Sequence, residues 1–235
     1  GNNAVQAARA RQKGGALTLL QHAEQTMLGG AIVVALESLK SASGFSFKRS
    51  VVLLSAELVY TQLFTFPTAS KKNLSASIND AVSRTIPEEF ADLSVRSKIL
   101  GESADQIVVG VAAIRRDVFR TYRECCTKAN ILAIAFSTAP CAVIAADPSP
   151  KPTSFLLATA SLGQTGVTLF PHQWPIDEAI LPPETSGIDA IVKAGMEMAA
   201  AYGEQGVIVE RMLLAGPWEC SPLPTTASLT LESVF

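Results

Sequence analysis

The chain has 235 residues, 48% apolar and 17% charged, with a formal net charge of −2 and a pI near 5.8. That balance excludes a disordered chain and leaves room for one large domain or two small ones with a real core. It also argues against a nucleic-acid binder, which needs a clustered basic face. Arg9, Arg11 and Lys13 are better explained by alternation along a strand. The longest apolar run, 131–146, is shorter than the ~20 residues that span a bilayer and carries Pro140. Gly1-Asn2-Asn3 lacks the basic and apolar regions of a signal peptide, so the chain is expected to be soluble. Cys125, Cys126, Cys141 and Cys220 show no Cys-x-x-Cys spacing, and His22 and His172 are the only histidines. Reduced, buried thiols and no metal site are expected.

In chain order, 4–11 reads as a strand, Lys13-Gly14-Gly15 as a hairpin turn, and 16–23 as the return strand. Residues 27–43 are predicted helical, with Met27, Ala31, Val34, Ala35 and Leu39 on one stripe and Gly44 as the C-terminal glycine. A buried strand follows at 50–55. Strand 58–66, closed by Pro67, leads to an amphipathic helix at 71–85 and to strands 93–100 and 107–113 around the turn at 101–103. Residues 115–128 form a helix with Val118, Phe119, Tyr122 and Cys126 on its apolar face. Because 131–146 is apolar nearly all round, it reads as a buried helix bent or ended near Pro140.

The segment 147–152, Asp-Pro-Ser-Pro-Lys-Pro, is the clearest linker. Strands at 155–160 and 166–170, a helix at 187–202, a strand at 207–214 and a last strand within 228–235 complete the chain. Asp177, Glu178 and Glu184 read as an acidic cluster on a solvated loop, with paired catalytic carboxylates the sharper alternative. The two halves share an order: a strand pair around a glycine turn, a helix, then a buried strand. In such duplicated α/β units, ligands sit at the mouths of the strands.

Residues 51–67 (Val-Val-Leu-Leu-Ser-Ala-Glu-Leu-Val-Tyr-Thr-Gln-Leu-Phe-Thr-Phe-Pro) resemble the segment of the PilM family in which a core strand enters the inserted subdomain. The stretch 81–90 with Ile86-Pro87, the strand and helix at 107–131, and the hairpins at 2–20 and 155–170 resemble further family segments. The family belongs to the actin-like superfamily and is related to the cell-division protein FtsA. The resemblance therefore implies an α/β, actin-like fold of two RNase H-like halves. It implies an inserted strand–helix–strand–strand (SHS2-like) subdomain and the loss of the 2B-type subdomain, as in the cytoplasmic domain of GspL. The implied parts are a first half at 1–57 with its first strand missing, the insert and return helix at 58–130, and a second half at 131–235.

The superfamily places an acid in each phosphate loop, because a carboxylate organises Mg²⁺ and glycine lets backbone N–H groups reach phosphate. Here Ser161-Leu162-Gly163 aligns onto Asp-Ile-Gly, followed by Gln164 and Thr165, so a neutral hydroxyl replaces the carboxylate. Gly1, Asn2 and Asn3 resemble the end of the first loop, and Gly216-Pro217 keeps one glycine of the adenosine turn. Gly1, Asn2, Asn3, Ser161, Gly163, Gln164, Thr165 and Gly216 are thus read as a vestigial nucleotide site with no catalytic residue and no metal. No Gly-x-Ser-x-Gly elbow supports a hydrolase.

The resemblance implies a non-catalytic cytoplasmic scaffold, peripheral to the bacterial inner membrane, in a type IV pilus or type II secretion machine. Its implied partners are the cytoplasmic tail of a PilN-like or GspM-like inner-membrane protein and the assembly ATPase of the same machine. Tyr60, Gln62, Phe64, Lys71, Lys72 and Arg84 are the implied groove for that tail, although charges exposed on a helix are usually just solvated. No cofactor is implied. The alternative is a nucleotide-binding ATPase or switch of the same superfamily, using ATP and Mg²⁺ with help from Thr165 or Thr168.

Overall fold

The structure is a computed structural model, and it describes residues 4–13, 16–27, 31–44, 47, 49–146, 151–161, 164–182, 187–215 and 230–233. The elements open with β1 (Ala4–Lys13), β2 (Ala16–Thr26), α1 (Ile32–Ser43) and β3 (Ser50–Leu54). Next come β4 (Tyr60–Pro67), α2 (Leu74–Thr85), β5 (Leu93–Glu102), β6 (Gln106–Arg115) and α3 (Arg116–Lys128). The chain continues with β7 (Ala133–Thr138), α4 (Ala139–Ala146), β8 (Phe155–Ser161), β9 (Gln164–Phe170), β10 (Asp177–Leu181), α5 (Ile188–Gly203), β11 (Arg211–Ala215) and β12 (Thr230–Ser233). They fall into two compact units, 1–54 with 116–138, and 55–115 with 139–235.

In the first unit β1 and β2 form an antiparallel hairpin, with a register shift between Arg9 and Ala10, and β3 pairs in parallel with β7. Gly14 and Gly15, expected as the hairpin turn, lie outside the described residues. Helix α1 ends as its sequence predicts: Gly44 adopts φ 64° and donates its N–H to the Lys40 carbonyl at 3.2 Å. Leu36 of α1 joins Cys126, Ala129, Ile131, Val52 and Ala133 in one apolar cluster. Phe119 of α3 meets Phe136 of β7 edge-on at 4.9 Å. Cys125 and Cys126 are free thiols; Cys126 is buried, and desolvation with the neighbouring Cys125 raises its pKa. Cys220 lies outside the described residues.

The expected helix over 131–146 is corrected here. Residues 133–138 are strand β7, and only 139–146 are helical. A continuous apolar run suits a parallel strand as well as a buried helix, and pairing with β3 decides for the strand. Pro140 falls in the first turn of α4, where no intrahelical N–H bond is lost. Helix α2 begins at Leu74 because 68–73 tighten into a 3₁₀ turn.

The second unit holds two sheets. In the smaller, ordered β4-β6-β5 and antiparallel throughout, Ile107, Val109, Val111 and Ala113 of β6 share a core with Ile78 and Val82 of α2. The element order β4, α2, β5, β6 is strand, helix, strand, strand, as the sequence predicts. The larger sheet is ordered β10-β9-β8-β11-β12, with β9 and β10 antiparallel to their neighbours and β11 and β12 parallel. Alternation sends Leu156, Ala158, Val167 and Leu169 to the face covered by Ile191 and Met198 of α5. Phe155, Leu157, Phe170 and Leu213 face Val143 and Ile144 of α4 on the other side, and the Phe155 and Phe170 rings stack at 4.9 Å.

Trp174 connects the two sheets of this unit. His172 and Gln173, just before it, hold φ of 51° and 60°, left-handed conformations that cost about 1–2 kcal/mol each. The turn is secured by the Gln173 N–H on the Thr153 carbonyl and the Trp174 N–H on the Pro171 carbonyl, both at 3.0 Å. It delivers the indole onto Gly110 of β6. A Cβ at position 110 would stand 2.4 Å from Trp174 Cδ2, so only glycine fits beneath the ring. Gly110→Ala should therefore destabilise by about 1–3 kcal/mol, as overpacking does, and lower Tm by several degrees. Gly110→Ala combined with Trp174→Leu should recover part of that loss. Thermal melts of the three variants check both expectations; an unchanged Tm for the single variant would show that the indole does not seat there.

Candidate functional site

Two places on the second unit carry the described residues that the sequence singled out. The first is the β4 side of the smaller sheet. Tyr60, Gln62 and Phe64 alternate onto one face of β4, an edge strand of its sheet. Phe64 is half-buried against the α2 core and lies 6.1 Å from Phe66, whereas Tyr60 and Gln62 are exposed. The Tyr60 hydroxyl donates to Glu88 Oε1, and this bond, with some desolvation, raises the phenol above its usual range. Glu88 Oε2 is buried and has no partner among the described residues.

The three cationic residues do not form one anchor. Lys71 Nζ donates to Glu102 Oε1 at 2.6 Å, and Arg84 pairs with Asp80 at 2.8 Å along α2. Lys72 is exposed. Lys72 lies in the 3₁₀ turn before α2 and Arg84 in the last turn of α2, twelve positions along the chain. Both pairs are solvent-exposed and weak enough for a ligand to replace.

The second place is the β8–β9 hairpin. Ser161 ends β8 and pairs in register with Gln164, which opens β9. Gly163, Gly1, Asn2, Asn3 and Gly216 lie outside the described residues, so the vestigial site is seen in part only. Thr165 is buried on the α5 side of the sheet, in line with Val167 and Leu169. Thr168 lies on the opposite side, where its hydroxyl donates to Glu178 Oε1 at 3.4 Å.

Glu178 is the group that sequence reading misplaced. Asp177 and Glu178 belong to edge strand β10, not to a solvated loop, and Glu184 lies outside the described residues. Register sets Glu178 beside Thr168 and over Gly166; a Cβ at position 166 would stand 2.9 Å from Glu178 Oε1. Burial is the main force raising the Glu178 pKa, and the Thr168 hydrogen bond opposes it. The charges of Glu57 and Asp177 add to the rise. Tyr202 donates to Asp177 Oδ2 at 3.0 Å and fixes the neighbouring carboxylate. Among the described residues no group of three or more His, Cys, Asp or Glu is placed to hold a metal ion. Nor is any helix among them long and apolar enough to cross a membrane.

No family model and no curated protein sequence matches the chain. Solved structures do. The chain is similar to a chain of the PilM-PilN type IV pilus biogenesis complex, with a TM-score of 0.67 and 18% identity, covering 100% of this chain and 86% of that one. The chain has a PilM/GspL-type fold. It is also similar to the cytoplasmic domain of EpsL, an inner-membrane component of the type II secretion system of Vibrio cholerae. That match has a TM-score of 0.59 at 14% identity, and covers 92% of this chain and 79% of EpsL's. At such identities, what is shared is the fold.

The raised pKa of Glu178 has a stability consequence with a definite sign. Its folded-state value lies above the unfolded one, so the native state holds the extra proton. Stability is highest below the unfolded value and falls as pH rises through the folded one. Glu178→Gln removes the buried charge and should raise Tm by about 1–3 °C at pH 8, with the gain vanishing near pH 4. Paired melts at the two pH values check this; a larger gain at the acidic end would rule out desolvation as the cause.

Proposed function

We propose that this protein is a non-catalytic scaffold on the cytoplasmic side of the inner-membrane assembly platform of a type IV pilus or type II secretion machine. In this reading it holds the cytoplasmic tail of a PilN-like or GspM-like membrane protein and meets the assembly ATPase of the same machine. The observation that carries the reading is the match of the entire chain to the fold found in the PilM-PilN complex. The second match, to a cytoplasmic domain of a secretion component, supports the same setting.

The accompanying domain reading is actin-like, with a first half at 1–57, an SHS2-like insert and return helix at 58–130, and a second half at 131–235 without a 2B-type subdomain. The strand–helix–strand–strand order of β4, α2, β5 and β6 supports the insert. The tail would lie along β4, in contact with Tyr60, Gln62 and Lys72 and above Phe64, and would replace the exposed pairs of Lys71 and Arg84. An extended peptide gains main-chain bonds from such an edge strand and specificity from alternate side chains. Nucleotide hydrolysis is absent in this reading, because position 161 offers a hydroxyl where a phosphate-binding acid would stand.

The test is titration of the labelled tail of the machine's PilN-like or GspM-like protein into the chain. Saturable binding with a Kd in the micromolar range is expected, weakened about tenfold or more by joint Tyr60→Ala and Gln62→Ala substitution. No binding up to about millimolar tail would overturn the scaffold reading. Calorimetry with Mg-ATP separates the alternative. Silence at about millimolar nucleotide is expected, and a micromolar Kd would make the chain a nucleotide-dependent switch.

A further inference from the structure

Glu88 stands between α2 and β5, and the core fixes its place. Ile86 and Phe90, on either side of it, pack into the α2 core, and Pro87 restricts the backbone just before it. The Asp92 N–H closes the turn on the Glu89 carbonyl at 2.8 Å. The carboxylate itself is only half satisfied. Oε1 accepts the Tyr60 hydroxyl, while Oε2 is buried and has no donor among the described residues. The bond to Glu88 is the first cause that raises the Tyr60 phenol, desolvation the second, and the charge of Arg115 opposes them. The hydroxyl therefore keeps its proton at neutral pH and holds Oε1 as a permanent donor.

A carboxylate oxygen shut from water without a donor is costly, because the hydration lost on folding is not replaced. A group that brings a positive charge and an N–H to Oε2 replaces it. An exposed pair such as Lys71 with Glu102 carries no such cost, since both members are already solvated. The position of Glu88 also gives edge strand β4 a direction. Tyr60 opens the strand, and Lys71 and Lys72 lie in the 3₁₀ turn past its end at Pro67. The eight residues of β4 span roughly 23 Å. A carboxylate thus marks one end of the strand and two lysines lie beyond the other.

We infer that Glu88 is the anchor for a basic side chain, lysine or arginine, of the extended tail that occupies β4; this rests on the scaffold reading and adds the tail's chemistry to it. The charge follows from where such a tail lies. Cytoplasmic segments beside a membrane span carry an excess of Lys and Arg, so the tail of a membrane protein brings the group that Oε2 lacks. The exposed Tyr60 side chain is the hydrogen-bonded neighbour of this carboxylate. Its turning aside opens both oxygens to a bidentate guanidinium or to an ammonium. Glu88 is then the contact and Tyr60 a positioning residue. The basic residue of the tail lies at the Tyr60 end of β4, and any acidic one lies toward Lys71 and Lys72.

The experiment is a double-mutant cycle on the whole chain. The probes are the labelled tail of the machine's PilN-like or GspM-like protein and copies of it in which one Lys or Arg at a time becomes Gln. Each is titrated into the unaltered chain, into Glu88→Gln and into Glu89→Gln, the control at the exposed neighbouring carboxylate. Thermal melts establish that both variants are folded. Glu88→Gln should weaken the intact tail about tenfold, and Glu89→Gln less than about twofold. One copy should bind the unaltered chain about tenfold more weakly and lose less than about twofold more with Glu88→Gln. An intact tail that binds Glu88→Gln as well as the unaltered chain would overturn the anchor. So would copies that all keep their full sensitivity to Glu88→Gln, because Glu88 would then act through the fold. An equal loss from Glu89→Gln would replace the anchor by a diffuse field, and binding of a tail with no Lys or Arg would remove it. In each of these cases the intact tail still binds the unaltered chain and the scaffold reading stands. An intact tail that does not bind the unaltered chain would overturn both.

Discussion

A strand with a helix packed on each face has no water on either side to satisfy a polar side chain, and it needs a partner along each edge for its backbone. Strand β8 meets both conditions. Its first four residues are fully buried, β9 pairs along one edge, β11 along the other, and α4 and α5 cover its faces. The larger sheet is organised outward from it, with cores on both sides drawn from alternate residues of the same strand. Toward the hairpin end and the β10 edge, Thr159, Thr165, Thr168 and Glu178 stand where phenylalanines and leucines line the rest of β8 and β9.

That gradient runs within single strands. The Phe155 end packs against α4, while Ser161 at the other end pairs in register with Gln164 of β9. The smaller sheet shows the same division across its width. β6 in the centre is committed to the α2 core, and β4 at the edge keeps Tyr60 and Gln62 facing water. Edge strands left unprotected invite association, and β4 leaves Tyr60 and Gln62 exposed along such an edge.

Much of this was legible in the sequence where local chemistry decides. Helices α2, α3 and α5 follow their apolar spacing, Gly44 stops α1, and strands β8 and β9 fall where their apolar runs lie. β7 was not legible, because a run such as Ile-Leu-Ala-Ile-Ala-Phe has no period that separates a parallel strand from a buried helix, and its partner β3 is some eighty residues away. β10 was hidden by its two leading acids, which look like loop. The setting of Glu178 was equally out of reach: Gly166 and Thr168 meet it through the β9–β10 register, Glu57 acts on it from far along the chain, and no local pattern announces either. Ser161 stood out only through family resemblance, since a serine at a strand end carries no signal of its own.

The seat of Trp174 on Gly110 restricts how this sequence can change over time. A larger residue at 110 is excluded while the indole is present, and a smaller residue at 174 leaves a hollow while 110 remains glycine. Neither position has a neutral first step. The pair can drift only if both change almost together, so lineages with this fold should retain the glycine and the aromatic ring as a unit or lose both. The two sites are 64 positions apart in the chain, yet they behave as one heritable character.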